Sequence, residues 1–96
     1  MTSDHHTDPF CLALAGVLRE ERVKRGFSVK SLSEKSGISR QAIGNFENGV
    51  QIPIVYTLRK IAAGLGLKVS EISALAEVQE EKTAALTALA KLNPAK

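Results

Sequence analysis

Apolar residues recur three or four positions apart along most of this chain, which is the spacing of one face of an α-helix. Leu14, Val17 and Leu18 form such a stripe in the first segment, and Ile43 and Phe46 lie three residues apart further on. No segment shows the strict alternation of apolar and polar residues that is typical of a half-buried strand. The pattern therefore predicts an all-α protein of five or six short helices.

Capping residues mark where the first three helices begin and end. Asp8-Pro9 is a good start for the first helix, which we expect to stop at Gly26. Ser28 can cap a second helix over 29–35, and Ser36-Gly37 then forms a turn. Ser39 can cap a third helix that ends near Glu47.

The remaining chain is also expected to be helical. Pro53 can occupy the first turn of a fourth helix, and Ser70 can cap a fifth. The segment from Ala76 to Leu92 is rich in alanine and leucine and contains no glycine. We therefore expect a disordered tail over 1–8, a folded domain over 9–75 and a helical tail over 76–96.

The second and third helices have the features of a helix-turn-helix, spanning about 29–48. The turn contains Gly37, and the second helix, which precedes the turn, carries the small residue Ser33. Apolar anchors fall where the two helices must pack: Leu32, Ile38, Ile43 and Phe46. The outward face of the third helix, the recognition helix over 39–47, is left with Arg40, Gln41, Gly44 and Asn45.

The chain resembles the Cro/repressor-like (XRE) helix-turn-helix family over about 14–72. The matching motifs are Leu18-Arg19-Glu20, Arg22, Gly26-Phe27-Ser28, Leu32, Gly37-Ile38-Ser39, Phe46-Glu47-Asn48-Gly49, Pro53, Thr57-Leu58, Lys60-Ile61-Ala62, Leu65-Gly66 and Ser70-Glu71-Ile72. The resemblance implies a five-helix, lambda-repressor-like domain that binds operator DNA as a dimer. Its third helix would enter the major groove.

The resemblance also implies roles for individual residues. Arg40, Gln41, Gly44 and Asn45 would read bases, and arginine, glutamine and asparagine side chains can indeed make paired hydrogen bonds to guanine or adenine. The residues expected to contact phosphate are Ser28, Lys30, Ser39, Asn48 and Gly49. Arg22 and Glu47 match a structural ion pair that ties the first helix to the end of the third.

Three departures from the family pattern weaken or alter these expectations. Val29 replaces a glutamine that often touches phosphate, and the usually basic loop after the third helix reads Val50-Gln51-Ile52. Gly44 costs the recognition helix about 1 kcal/mol relative to alanine. This glycine either permits close approach of DNA or is only tolerated.

Charge and cysteine content narrow the class of protein. The chain has 96 residues and a net charge of +3. Residues 9–68 contain ten basic and four acidic side chains, so this segment has a net charge of +6 and the two ends together have −3. A basic central segment of this kind favours a polyanionic partner. The single cysteine, Cys11, excludes an intramolecular disulfide, and His5-His6 supply too few ligands for a metal site.

These features predict a cytoplasmic protein without membrane segment, cofactor, metal or catalytic site. The longest apolar stretch, 10–18, is too short to span a bilayer. No histidine lies in the predicted folded part, so the commonest general base is missing.

The tail is a candidate surface for pairing two copies of the chain. Leu75, Val78, Lys82, Ala85, Leu89 and Leu92 follow heptad spacing for about two and a half heptads. The residues expected to contribute to dimerisation are Leu75, Val78, Leu86, Leu89 and Leu92. Alternatively, the tail folds back on the first or fifth helix.

The sequence therefore predicts a transcriptional regulator, a repressor, that binds a two-fold operator in double-stranded DNA as a homodimer. An alternative is an antitoxin-type protein that binds a partner protein through its tail and uses DNA only to regulate its own promoter.

Overall fold

The computed structural model describes residues 8–92, and within this range the chain forms five α-helices and no β-strand. The helices are α1 (Pro9–Lys24), α2 (Val29–Ser36), α3 (Arg40–Glu47), α4 (Val55–Leu65) and α5 (Val69–Leu92). The prediction of an all-α fold is therefore confirmed. The tail predicted over 1–8 lies outside the described residues except for Asp8, which caps α1, and the end of the chain over 93–96 lies outside them too.

One hydrophobic core joins all five helices. Its largest fully buried side chains are Leu32 on α2, Ile43 on α3, Ile61 on α4 and Ile72 on α5. The stripe of Leu14, Val17 and Leu18 on α1 packs into the same cluster. Removing this apolar surface from water is the main source of stability for helices as short as α2 and α3, because isolated helices of that length are marginal.

α1 begins as its cap residues predict, and its end is joined to α4. Asp8 accepts a hydrogen bond from the backbone N–H of Cys11 at 3.1 Å. Near the other end, Arg25 donates to the backbone carbonyl of Leu65 at 3.3 Å and to the buried carboxylate of Glu21 at 3.2 Å. The contact with Leu65 ties the end of α1 to α4, while the contact with Glu21 is made within one turn of α1.

A second close approach occurs where α2 packs on α4. A Cβ built on Gly64 would lie 3.1 Å from Cδ1 of Leu32 and 3.2 Å from Cβ of Ser36. Larger side chains at residue 64 would therefore push α2 away from α4. Because α2 supports the turn before α3, Gly64 helps to position the candidate site.

The predicted starts of the fourth and fifth helices are wrong. Ile54 has an extended backbone (φ −69°, ψ 162°), so α4 begins at Val55, two residues after Pro53. Pro53 instead borders a small cavity together with Leu14 and Phe46. α5 begins at Val69, so Ser70 lies inside its first turn. Glu71 accepts a hydrogen bond from the backbone N–H of Lys68 at 2.8 Å at the start of α5, which lies two residues earlier than a cap at Ser70 implies.

α5 runs without interruption from the core into solvent. The boundary expected after residue 75 falls inside this helix, where Ala76 is fully buried. Gln79 and Glu80 are half-buried, and every residue from Glu81 to Leu92 is exposed. We call residues 81–92 the arm. Part of the predicted tail is therefore buried in the core, and the arm is exposed to solvent.

A groove of about 640 Å³ separates the arm from α1. Its α1 wall includes Leu12, Ala13 and Gly16, while its α5 wall runs from Gln79 to Lys91. We call this the α1–α5 groove.

Candidate nucleic-acid interface

The turn between α2 and α3 is held by local hydrogen bonds. Gly37 ends α2 in the left-handed region (φ 76°), and its N–H donates to the carbonyl of Ser33 at 2.9 Å. The hydroxyl of buried Ser36 accepts from the N–H of Ile38 at 3.2 Å. A residue other than glycine would be strained at this φ, so Gly37 fixes the angle at which α3 leaves the turn.

α3 turns one face to the core and the other to solvent. Ile43 and Phe46 are buried, whereas Arg40 and Gln41 in the first turn are exposed. The hydroxyl of Ser39 accepts from the N–H of Ala42 at 3.1 Å and so caps the helix. Apolar anchors thus hold a short helix whose exposed first turn carries two side chains able to bind base edges.

Asn45 is half-buried and already has a partner. Its side-chain amide nitrogen donates to Oε1 of Gln51 at 3.2 Å. Its backbone carbonyl accepts from the backbone N–H groups of Val50 and Gln51. Gln51 is therefore a candidate site residue that the sequence pattern does not reveal, because nothing in the spacing of 45 and 51 indicates that the loop folds back. Any contact between Asn45 and a base would involve this pair.

The space around Gly44 is open. This residue lies on the same face as Arg40 and Gln41, and a Cβ built on it would meet nothing within 4 Å. Packing within the protein thus provides no reason for glycine here.

The residues expected to contact phosphate lie at helix ends around α2 and α3. Lys30 is exposed in the first turn of α2, and Asn48 is exposed at the end of α3 next to half-buried Gly49. Ser39 uses its hydroxyl oxygen in the cap of α3, so its proton is still available to a phosphate. Ser28 forms a reciprocal capping box with Ser31, in which each hydroxyl accepts the other residue's N–H at 3.0 and 2.9 Å. The hydroxyl of Ser28 therefore has a structural role in this fold.

Two further lysines lie close to this surface. Lys60 on α4 lies over the ring of Tyr56 at 5.5 Å, and its Nζ would be 3.4 Å from a Cβ at Gly37. Lys35 lies over the ring of Phe27 at 5.4 Å. Both ammonium groups are held by aromatic rings next to the helix-turn-helix, where each can attract phosphate.

The surface that follows α3 is apolar. Val50, Ile54, Val55 and Tyr56 are all exposed, and α4 has no side-chain cap at Ile54. Attraction to phosphate must therefore come from the basic residues on α2, α3 and α4.

Arg22 and Glu47 form a two-point ion pair between α1 and the end of α3. Nε donates to Oε2 at 2.7 Å, and a terminal guanidinium nitrogen donates to Oε1 at 3.0 Å. The side chains are only 13% and 6% exposed. The remaining guanidinium nitrogen donates to the backbone carbonyl of Phe27 at 2.9 Å. The hydrogen bonds to Glu47 raise the pKa of Arg22. This pair fixes the end of the recognition helix against α1.

Other chemistry is limited in the part of the chain that the structure describes. No three His, Cys, Asp or Glu side chains gather there in a way that could hold a metal ion, and His5-His6 lie outside it. Burial and the neighbouring Asp8 carboxylate raise the pKa of the Cys11 thiol. None of the five described helices is both long and apolar enough to cross a membrane.

A short capped helix that is anchored in the core, follows a glycine turn and presents polar side chains to solvent defines the helix-turn-helix class. The helix-turn-helix family model matches residues 18–72, more than half of the chain, and the chain belongs to this family. The resemblance to Cro/repressor-like (XRE) proteins is thereby confirmed.

Individual relatives agree with this assignment. The HTH-type transcriptional regulator SutR of Escherichia coli (strain K12) is 39% identical over 57 residues, which are 59% of this chain and 32% of SutR. The chain therefore matches about a third of the length of this curated relative.

The fold is similar to that of the clp gene regulator ClgR from Corynebacterium glutamicum. In one crystal structure the similarity has a TM-score of 0.81 at 25% identity, over 86% of this chain and 88% of ClgR. A second crystal structure of ClgR gives a TM-score of 0.69 at 24% identity, over 74% and 91% of the two chains, which shows likeness of fold.

Proposed function

We propose that this protein is a sequence-specific DNA-binding transcriptional regulator, a cytoplasmic repressor that binds a two-fold operator as a dimer. The observation that carries the proposal is the exposed pair Arg40 and Gln41 in the first turn of α3, backed by buried Ile43 and Phe46. SutR and ClgR are both named as regulators, which supports the same function.

Specificity would come from the first two turns of α3. In repressor-type docking, the N-terminal residues of the recognition helix contact base edges in the major groove. Arg40 can donate two hydrogen bonds to a guanine, and Gln41 can pair with an adenine. Asn45 would act further along the helix together with Gln51.

Affinity that does not depend on sequence would come from the basic residues around α3. Lys30, Lys35 and Lys60 would attract phosphates, while Ser39, Asn48 and the backbone at Gly49 would fix the protein on the duplex. Each phosphate neutralised by a cation adds to the salt dependence of binding.

Dimerisation would come from α5. The side chains of Leu75, Val78, Leu86, Leu89 and Leu92 are exposed and fall within about 120° of one another around the helix. A dimer on a two-fold operator must hold its two recognition helices about 34 Å apart, which is one turn of DNA, so pairing through α5 would have to set this distance.

An antitoxin-type protein would instead use the arm to bind a different partner. The exposure of residues 81–92 is compatible with that alternative, and the oligomeric state separates the two functions. A chain that sediments as a monomer at high micromolar concentration would favour the antitoxin.

The DNA-reading role is tested by comparing substitutions at Arg40, Gln41 and Lys30 for their effects on binding to operator and scrambled DNA. The operator is selected from random duplexes with the wild-type protein, and binding to operator and scrambled DNA is measured at several salt concentrations. Gln41→Ala should weaken operator binding by about 1–3 kcal/mol and relax the preference at one base per half-site. Lys30→Ala should weaken both DNAs alike and lower the salt slope by about one unit per lost contact.

Lys68→Ala is the matched control, because Lys68 is exposed at the turn between α4 and α5, outside the helix-turn-helix. It should change neither specificity nor the salt slope appreciably. If Gln41→Ala and Arg40→Ala weaken operator and scrambled DNA equally, α3 does not read the sequence.

A further inference from the structure

The arm and the α1–α5 groove are two unfilled features of the same subunit. Leu86, Leu89 and Leu92 on the arm are 66%, 60% and 81% exposed. The arm carries no charge from Thr83 to Ala90, although every residue in this stretch is exposed. Such an apolar helix in water typically marks a surface that another molecule covers.

We propose that the arm of a second copy of this chain lies in the α1–α5 groove, antiparallel to the α5 that forms one wall, and that the two copies exchange arms reciprocally. The inference rests on the dimer of the proposed function and specifies how that dimer is built. Its basis is that one subunit contains both the protruding side chains and a cavity suited to receive them.

The groove matches the arm in shape. Between Glu80 and Lys91, the α5 wall has no side chain larger than threonine: Thr83, Ala84, Thr87 and Ala88. The α1 wall has Ala13 and Gly16 at its centre. Small side chains allow a helix to come close, and the leucines of the incoming arm supply the volume that these walls lack.

The charges at the two ends favour an antiparallel arrangement. Glu80 and Lys91 both line the groove, and eleven residues of helix place them about 16 Å apart. In an antiparallel pair, Lys91 of each copy faces Glu80 of the other, and two ion pairs form. A parallel pair would instead place Lys91 beside Lys91.

The buried area also favours insertion over simple contact between two arms. An arm of twelve residues is about 18 Å long and 10 Å wide, so burying half of its circumference removes about 300 Å² from water. Two arms seated in two grooves bury about 1,100 Å², close to the size of specific stable interfaces, whereas contact between the arms alone buries about half as much.

The experiment is sedimentation equilibrium of the full chain and of Gly16→Leu. A Cβ at Gly16 meets nothing within 4 Å, so the fold accommodates a side chain there while the leucine fills the groove. We expect wild-type dimers, and a dimer dissociation constant raised about tenfold or more in Gly16→Leu. Circular dichroism and thermal unfolding of each variant check that the monomer fold is kept.

A charge exchange tests the direction of the arms. Lys91→Glu should raise the dissociation constant about fivefold at low salt, and adding Glu80→Lys to the same chain should restore it. A parallel arrangement predicts little change, because Lys91→Glu then replaces one pair of like charges, lysine beside lysine, by another, glutamate beside glutamate.

Three outcomes overturn the inference. A dimer that is indifferent to Gly16→Leu does not use the groove, so a small apolar ligand or another segment of the chain would be its occupant. A dimer left unchanged or strengthened by Lys91→Glu is not antiparallel. A wild-type chain that stays monomeric overturns the dimer itself, whereas the DNA-reading role is tested separately with Gln41→Ala.

Discussion

Replacing Gly44 with alanine should make the protein more stable and a weaker binder of its operator. Alanine gains about 1 kcal/mol over glycine in a helix interior. Because a Cβ at residue 44 meets nothing within 4 Å, no clash offsets this gain. In a domain of this size, 1 kcal/mol corresponds to a rise in Tm of about 4–8 °C.

The effect on DNA binding should have the opposite sign. Gly44 lies on the face of α3 that carries Arg40 and Gln41, so the added methyl group would point at the major groove. Forcing a methyl group into a packed contact costs about 1–3 kcal/mol, which is about 5- to 150-fold in affinity for each subunit. Scrambled DNA, which is held mainly through phosphates, should be affected less.

The assay combines thermal unfolding with fluorescence anisotropy on operator and scrambled duplexes. The scrambled duplex serves as the control within the same variant, because Gly16, which also lies inside a helix with open space around its Cβ, lines the groove proposed for dimerisation. Affinity for scrambled DNA should stay close to that of the wild type. If Gly44→Ala keeps wild-type affinity for the operator, DNA does not approach α3 at this residue, and the glycine is only tolerated.

Three further predictions concern stability, reactivity and the loop after α3. Arg22→Ala should lower the free energy of unfolding by about 3 kcal/mol, measured in urea, because Glu47 is left buried without its partner, whereas exposed Arg19→Ala should change it by less than about 0.5 kcal/mol. Since the pKa of Arg22 is raised, raising the pH from neutrality should leave its ion pair intact until the pH passes through that raised value. A loss of this contribution near pH 9 would contradict the assignment. The pH midpoint for alkylation of Cys11 should be higher than that of a free cysteine, because burial and Asp8 raise the pKa of its thiol. Asp8→Asn should lower this midpoint only part of the way to that of a free cysteine, since burial is the larger cause. A wild-type midpoint equal to that of a free cysteine would contradict this. Gln51→Ala should weaken operator binding although the residue is outside α3, because it removes the partner of Asn45; unchanged specificity would show that Asn45 does not need this partner.

Much of the fold follows from local sequence signals, because most helices begin or end at residues with a clear conformational preference. Ser28 and Ser39 cap α2 and α3, and Gly37 forms the turn between them. The start of α4 could not be predicted in this way, because it depends on the packing of Ile52 and Pro53 in the folded chain. At the start of α5, the carboxylate of Glu71 rather than a serine hydroxyl accepts the hydrogen bond from the helix end, through the N–H of Lys68.

The candidate site shows the same division. The spacing of Ile43 and Phe46 is enough to predict which face of α3 is exposed. The pairing of Asn45 with Gln51 and the position of Lys60 beside Gly37 are not visible in any periodicity, because they depend on how a loop and a separate helix return to α3. The α1–α5 groove likewise depends on the angle between two helices far apart in the chain.

The continuity of α5 has a consequence for the geometry of the operator. Since no hinge separates the core at Ala76 from the arm, the proposed dimer has no slack between its pairing surface and its two recognition helices. A regulator with a flexible linker can tolerate half-sites at several separations, but this chain would tolerate essentially one. Each residue inserted between Ala76 and the arm would turn the DNA-binding domain of each subunit by about 100° relative to its own arm and shift it by about 1.5 Å. The spacing of the DNA sites would thus be set by the length and pitch of a single helix.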